Sequence, residues 1–381
     1  MLKQIYNGTI HTPEGWVKGG SIIFENGKII EVKSDSLLID GAEAIDAKGA
    51  YVTPGGIEIH CHGGGGRDFM ECKEDAFITA AATHLKHGTT TIFPTLSSSS
   101  QQMIDEAAEV CEKIIARGDT TIMGLHLEGP HLNIKKTGGQ MPEYICNPDP
   151  AKYIPMIERF KCIKRIDAAP ELDGALEFGK FASEHGIVMG IAHTTAEYPE
   201  VLAAYNNGYS LATHFYNAMG GFHNVREYKH EGTVESVYLI DDMDVEMITD
   251  GCHLPDTIIR LIPKFKGIEH TAIITDSLAC AGSDSNYIFL PGAIIEDGVC
   301  KVADGSALAG SIATMDRLIT TCVKAGISLF DTIRMASETP ARIMSISDRK
   351  GQLVAGKDAD ILLLNPDTSL KAVYSMGCLV E

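Results

Sequence analysis

Apolar and polar positions follow two regimes along this chain. Residues 1 to about 52 give short β-prone runs, Lys3–Ile10, Trp16–Phe24 and Lys28–Val32, broken at Asn7-Gly8, Gly19-Gly20 and Asn26-Gly27. Asn26-Gly27, between Ser21–Phe24 and Lys28–Val32, predicts a hairpin turn, because both residues tolerate the positive φ that such a turn demands. The end of the chain, Ala359–Leu364 and Ala372–Val380, has the same character. The two ends are expected to pair into one small β-sandwich domain, residues 1–52 and 346–381, with the termini side by side.

Between them, over residues 53–345, apolar strands alternate with helical periods. Eight strands are predicted: Ile57–Cys61, Thr89–Phe93, Thr121–Leu127, Arg165–Ala169, Gly186–Ala192, Tyr209–Thr213, Val245–Thr249 and Thr271–Thr275. Ile104, Ala107, Ala108, Cys111 and Ile115 share one face of a helix that Gly118 ends. Val201, Leu202 and Tyr205 share another, stopped by Asn206-Asn207-Gly208, and Ile312, Met315, Ile319, Cys322 and Val323 form a third. Eight strand–helix repeats predict an α/β fold, a (β/α)8 TIM barrel, with a doubly wound open sheet as the competing arrangement.

Composition narrows the partners. The chain has 381 residues, 44% of them hydrophobic, enough for a large core with a smaller companion. Its formal net charge of −19 argues against nucleic acid or an anionic membrane surface, although a local pocket can still be positive. Ten cysteines are scattered without framework spacing, which suggests reduced thiols and a cytoplasmic location. The first residues, MLKQIYNGTIHTPEGW, lack the apolar core of a signal peptide, and no stretch reaches the ~18 apolar residues of a membrane span.

The chemistry concentrates at strand ends. Thr121–Pro130, TIMGLHLEGP, runs apolar and then finishes on a carboxylate, Glu128, before a Gly-Pro turn. In a barrel, the active site lies at the C-terminal ends of the strands. Those ends carry His60 and His62 (strand one), Glu128 (three), His193 (five), His214 (six), Asp250 and His253 (seven) and Asp276 (eight). Imidazole and carboxylate donors suit zinc or ferrous iron. Each residue has a plainer explanation too: a hydrogen-bonded structural histidine, a carboxylate receiving helix amides, a cap. Cys61 lies between the two histidines and should face the opposite way, toward the core. One metal pocket accounts for five strand ends at once, where the plainer readings must each hold separately.

His-x-His at 60–62, HLEGP at 126–130, Ala192-His193-Thr194, Thr213-His214-Phe215-Tyr216-Asn217-Ala218-Met219, Asp250-Gly251-Cys252-His253, Thr275-Asp276 and Leu308-Ala309-Gly310-Ser311 together resemble the amidohydrolase superfamily. Within it, the chain is similar to the N-acetylglucosamine-6-phosphate deacetylase family, over essentially its whole length. Many amidohydrolases bridge two metals with a modified lysine from strand four. Here that strand ends in Ala168-Ala169-Pro170-Glu171, and the family's substitute is the strand-three glutamate, Glu128.

The resemblance implies Glu128, His193 and His214 as ligands of one divalent ion, zinc or iron, and His60 and His62 as ligands of a second, with Glu128 between. It implies Asp276 as the catalytic acid–base. It places Gly139, Gln140, Asn217, Ala218, Arg226, His253, Leu308, Ala309 and Gly310 around the substrate, an amino sugar phosphate whose acetamide is hydrolysed. A homodimer is the family expectation. Two stretches depart from the family. Its Gly-Ala-His reads Gly138-Gly139-Gln140 here, with His131 as a possible substitute for the missing imidazole. Its compact Arg-Glu-Pro-Gly is stretched to Val225-Arg226-Glu227-Tyr228-Lys229-His230-Glu231-Gly232. Both lie near the substrate rather than the metals, so N-acetylgalactosamine 6-phosphate or another acylated sugar stands as an alternative. Hydrolysis of a cyclic amide or an N-acyl amino acid is a further one, and a metal-free barrel acting as a scaffold is the rival from outside enzymology.

Overall fold

The structure is a computed structural model and describes residues 1–302 and 304–381. Both ends of the chain meet in one eight-stranded sheet. Its strands are Lys3–Thr12, Gly15–Glu25, Lys28–Lys33, Glu43–Asp46 and Tyr51–Pro54 from the start, and Ile361–Leu364, Leu370–Ser375 and Cys378–Leu379 from the end. Lys3–Thr12 pairs with Glu43–Asp46 along its first half and with Tyr51–Val52 along its second, so the sheet branches there. Ile5, Ile10, Ile22, Phe24, Val52, Ile361 and Leu363 fill a core of their own. Asn26 and Gly27 both take the positive φ that the hairpin requires. The expected final run, Ala372–Val380, is broken by a turn at Met376-Gly377, where both residues are also left-handed.

The central region is the barrel. Parallel ladders run in strict chain order through Gly56–Cys61, Thr89–Leu96, Leu125–Glu128, Ile163–Ala168, Val188–Ile191, Tyr209–Ala212, Asp244–Ile248 and Thr271–Ile274. A doubly wound sheet would reverse this order partway. The eighth strand returns to the first: Asp276 N–H donates to His60 O at 2.9 Å and His62 N–H to Ser277 O at 2.9 Å. Glu58 completes the seam, its carboxylate accepting the His60 and Thr275 amides, each at 3.0 Å.

Strands three and five are shorter than the apolar runs suggest. Ile122 makes only an isolated bridge to Ile92 before the ladder resumes at Leu125. Gly186 belongs to the preceding helix terminus rather than to strand five: at φ 76° it lets Ile187 N–H reach back to Ala182 O. The helix Gln101–Arg117 starts where the Ser100 hydroxyl accepts Met103 N–H and ends at left-handed Gly118. It buries Ile104, Ala107, Ala108, Cys111 and Ile114, with Ile115 half-buried beside them. Ile312 precedes its helix, Met315–Lys324, rather than joining it. Among the described residues, no helix is long and apolar enough to cross a membrane.

Inside the barrel lies a buried ionic network. Arg165 and Asp167, two apart on strand four, share a face and form a two-point pair, Nε–Oδ1 at 3.0 Å and Nη2–Oδ2 at 2.9 Å. Arg165 also donates to Ile59 O at 3.1 Å, to Thr213 Oγ1 at 3.0 Å and to Glu246. Burial raises the Glu246 carboxyl, but Arg165 and then His60 outweigh it and bring it down to about 2.

Candidate metal centre

At the barrel mouth, groups from six strands converge. His193, His214 and Asp276 each follow a strand and each take a left-handed backbone, at φ 45°, 31° and 47°. Such backbone is uncommon for non-glycine residues and collects at functional sites. It turns the chain sharply, so each side chain enters the mouth instead of continuing along the wall.

Glu128 is the hub and is 2% exposed. Its Oε1 lies 2.9 Å from His193 Nε2 and 3.0 Å from His214 Nε2, which are 3.2 Å apart. Its Oε2 lies 3.2 Å from His62 Nε2 and 3.6 Å from His60 Nε2. Asp276 Oδ1 sits across the same space, 3.3 Å from His62 Nε2 and 3.6 Å from His60 Nε2.

The other ring nitrogen of each histidine is engaged. His193 Nδ1 is 2.7 Å from Lys136 O and His214 Nδ1 is 3.2 Å from Asn217 O. A carbonyl only accepts, so both rings are protonated at Nδ1, which leaves Nε2 as the atom available to a metal. His60 Nδ1 faces Glu246 Oε2 at 3.1 Å and His62 Nδ1 faces Ser97 Oγ at 3.1 Å. This outer ring is what metal-ligating histidines require. Among the described residues, His60 Nε2 is buried without a hydrogen-bond partner. Ligand atoms of Glu128, His193 and His214, and of His60, His62 and Glu128, lie within 4.8 Å of one another, so both donor sets fit a divalent ion.

A third grouping, His60, His126 and Asp167, is also this compact. Asp167 is already gripped by Arg165 at two points, and His126 Nδ1 faces Thr95 Oγ1 at 3.0 Å. Burial and then Arg165 push the His126 imidazole down to about 4. This group belongs to the buried ionic network.

Electrostatics follow the geometry. Burial opposes charge on Glu128, but His60, His193 and His214 outweigh it and hold the carboxyl well below the usual range. Burial likewise opposes charge on Asp276, but His60 and His62 keep it ionised below its ordinary value. His62 is driven up to about 10: burial lowers it, and contacts with Asp276 and Glu128 more than reverse that. Glu128 and Asp276 therefore stay anionic at the mouth, which suits them to a cation.

The site opens on a cavity of about 560 Å³. Gly139, Gln140, Asn217, Ala218, His253, Leu308, Ala309 and Gly310 all line it. Asp250 lies 2.9 Å from His253 Nδ1, leaving Nε2 for a ligand. The 308–310 loop is tied to strand eight by Ser311 N–H to Asp276 O at 2.7 Å. Gly310, at φ 89°, is required there, because a Cβ would fall 2.9 Å from Asp276 O. Arg226 is not brought to this cavity within the chain. It stands at the tip of the hairpin His223–Val225 with Tyr228–His230, which is exposed. His131 also faces elsewhere: it packs on Phe178 and its Nδ1 bonds Cys146 O at 3.1 Å.

Sequence reasoning missed Glu58, Ser97, Glu246, Arg165 and Asp167, which orient the site from behind, and Lys135 and Lys136, which line the cavity. A signal existed for some. A charged residue inside an apolar barrel strand faces an interior where it must be paired.

Comparison with known proteins points to one family. The pattern of the amidohydrolase family matches residues 51–380. The chain is 30% identical over 373 residues to the N-acetylglucosamine-6-phosphate deacetylase of Haemophilus influenzae, covering 96% of each. It is 26% identical to an N-acetylgalactosamine-6-phosphate deacetylase of Shewanella, covering 85% of this chain and 81% of that one. The crystal structure of N-acetylglucosamine-6-phosphate deacetylase from Pasteurella multocida superimposes with a TM-score of 0.94 at 28% identity, covering 100% of this chain and 99% of that one. With the family pattern matched over residues 51–380, a relative 30% identical over 96% of each chain and a shared fold, the chain belongs to the amidohydrolase family, in its N-acetylglucosamine-6-phosphate deacetylase branch.

Proposed function

We propose that this chain hydrolyses the acetamide of an N-acetylhexosamine 6-phosphate, N-acetyl-D-glucosamine 6-phosphate foremost, to the amino sugar phosphate and acetate. The observation that carries this reading is the convergence of Glu128, His193 and His214 beneath a cavity that Asp276 also faces. Glu128, His193 and His214 would hold zinc or iron, and His60 and His62 would hold a second ion. A divalent cation there supplies Lewis-acid polarisation and lowers the pKa of water from about 15.7 to about 7.

The chain's own groups do the rest. Asp276, ionised and buried at the mouth, accepts the proton of the attacking water and passes it to the departing nitrogen, since an amine leaves poorly unless protonated. The loop 308–310, fastened to Asp276 by Ser311, fixes the sugar relative to that carboxylate. His253 and the cations Lys135 and Lys136 make this part of the cavity suitable for a phosphate, in a protein whose net charge is −19. Arg226 meets a substrate only if its hairpin docks over the cavity of another copy. Phe222, Val225 and Tyr228 on and beside that hairpin are exposed, which supports a homodimer through this face. The unpaired thiols support a reducing, cytoplasmic setting.

The test is amine release across a panel of N-acetylated hexosamines with and without the 6-phosphate. N-acetylglucosamine 6-phosphate should give the highest kcat/KM, and the unphosphorylated sugar should lose most of it. Preference for N-acetylgalactosamine 6-phosphate would move the assignment to the second reading, which the Shewanella relative favours. Equal rates with and without phosphate would refute both.

A further inference from the structure

Gln140 is 6% exposed, lines the cavity, and makes two short hydrogen bonds. Its side-chain oxygen accepts Ser98 N–H at 2.6 Å. A backbone amide only donates, so this contact fixes which way the Gln140 amide faces. The amide nitrogen then has one direction left, and it donates to Glu128 Oε2 at 2.6 Å. The two oxygens of Glu128 therefore differ. Among the described residues, Oε1 has hydrogen-bond partners in the two imidazoles His193 and His214. Oε2 already accepts a hydrogen bond from a locked donor, in addition to facing His60 and His62.

We propose that Gln140 is a positioning residue that makes the two halves of the centre unequal. It turns Glu128 so that Oε1 is presented to His193 and His214, and it occupies a lone-pair direction of Oε2. Glu128 Oε1, His193 and His214 would hold an ion tightly. Oε2, His60 and His62 would hold one less tightly, since it would compete with an amide whose other end Ser98 holds. This rests on the metal-centre part of the reading above and not on the sugar.

The test uses the full-length protein, stripped with a chelator and titrated with Co(II) in the absence of any sugar. Ligand-field absorption and elemental analysis follow each equivalent. The native protein should take the first equivalent at least tenfold more tightly than the second. Gln140→Met keeps the side-chain volume and removes both hydrogen bonds. Gln140→Glu keeps the acceptor for Ser98 but cannot donate to Glu128 as a carboxylate. In both variants the first ion should weaken by about 10- to 100-fold, the range for loss of a partner behind a ligand. The gap between first and second ions should close to within a few fold. Unchanged first-ion affinity in both variants overturns the proposal, and so does a weakened first ion with the native gap intact. If Gln140→Met fails to fold by circular dichroism, Gln140→Glu alone decides. Intact two-step Co(II) binding in a protein inactive on every sugar phosphate would fault the deacetylase reading and leave this inference standing.

Discussion

The two sides of Glu128 are built differently. On the Oε1 side, the rings of His193 and His214 are oriented by backbone carbonyls, Lys136 O and Asn217 O, while the His214 backbone N–H donates to Glu246 Oε2 at 3.0 Å. On the Oε2 side, His60 and His62 are oriented by side chains, Glu246 and Ser97, and Asp276 and Gln140 crowd the same few ångströms. Backbone carbonyls are carried by the fold itself and survive most substitutions. Side-chain partners can be changed one at a time. On the proposed reading the first side would be the permanent half of the centre, and the second would be where single substitutions change ion binding and its coupling to proton transfer.

That contrast can be broken at several points. The largest effect is expected at Asp276, the group shared between the second side and the substrate. Asp276→Asn should lower kcat for amine release by about a thousandfold or more while leaving the tightly held ion in place by elemental analysis. Near-native turnover would remove it as the proton carrier. Paired deletions should separate the sides next. His214→Ala should weaken the first ion by more than about 100-fold, whereas His62→Ala should leave that ion tight and reduce kcat by about tenfold. Equal losses in the two variants would erase the distinction.

A pH effect tests the seam that aligns His60 with strand eight. Burial pushes the Glu58 carboxyl up to about 7, against its hydrogen bonds from His60 and Thr275. Its folded pKa lies above its unfolded value of about 4.5, so the folded state retains a proton that the unfolded chain has released. Its contribution to stability is fully present below about pH 4.5 and is lost as pH rises through about 7. Relative to Glu58→Gln, the native protein should lose about 3 kcal/mol across that window, read from denaturant unfolding at each pH. A flat difference would show that Glu58 is ionised throughout. The smallest expected effect is at Glu246. Glu246→Gln should weaken the ion on the His60 side the more, by about tenfold, because Glu246 Oε2 faces the His60 ring directly and reaches His214 only at its backbone N–H. An equal change on both sides would mean that Glu246 acts through barrel stability instead.

Much of this centre was legible in the chain. His60, His62, Glu128, His193, His214 and Asp276 could be found because each stands at or just past the end of an apolar run, where a barrel must open to solvent. The inner ring was harder. Arg165 and Asp167 alternate on strand four with the period that puts both on one face, yet only the closed barrel reveals that this face is the interior. Gln140 was placed near the substrate from its motif, but its grip on Glu128 depends on Ser98, distant in sequence and brought alongside by folding. Arg226 shows the converse. Its motif position pointed to the substrate, and the lengthened hairpin carries it to an exposed tip, because inserted residues in a loop extend away from the scaffold without disturbing it.

The account turns on whether the Glu128–His193–His214 cluster holds the ion that makes hydrolysis possible. The most direct measurement is reconstitution: strip the protein with a chelator, then follow amine release from N-acetylglucosamine 6-phosphate as zinc or ferrous iron is added back. Activity should vanish on stripping and return along a line that breaks at one ion per chain, with Glu128→Gln showing no return at any ion concentration. Full activity in protein verified to contain no metal would contradict it.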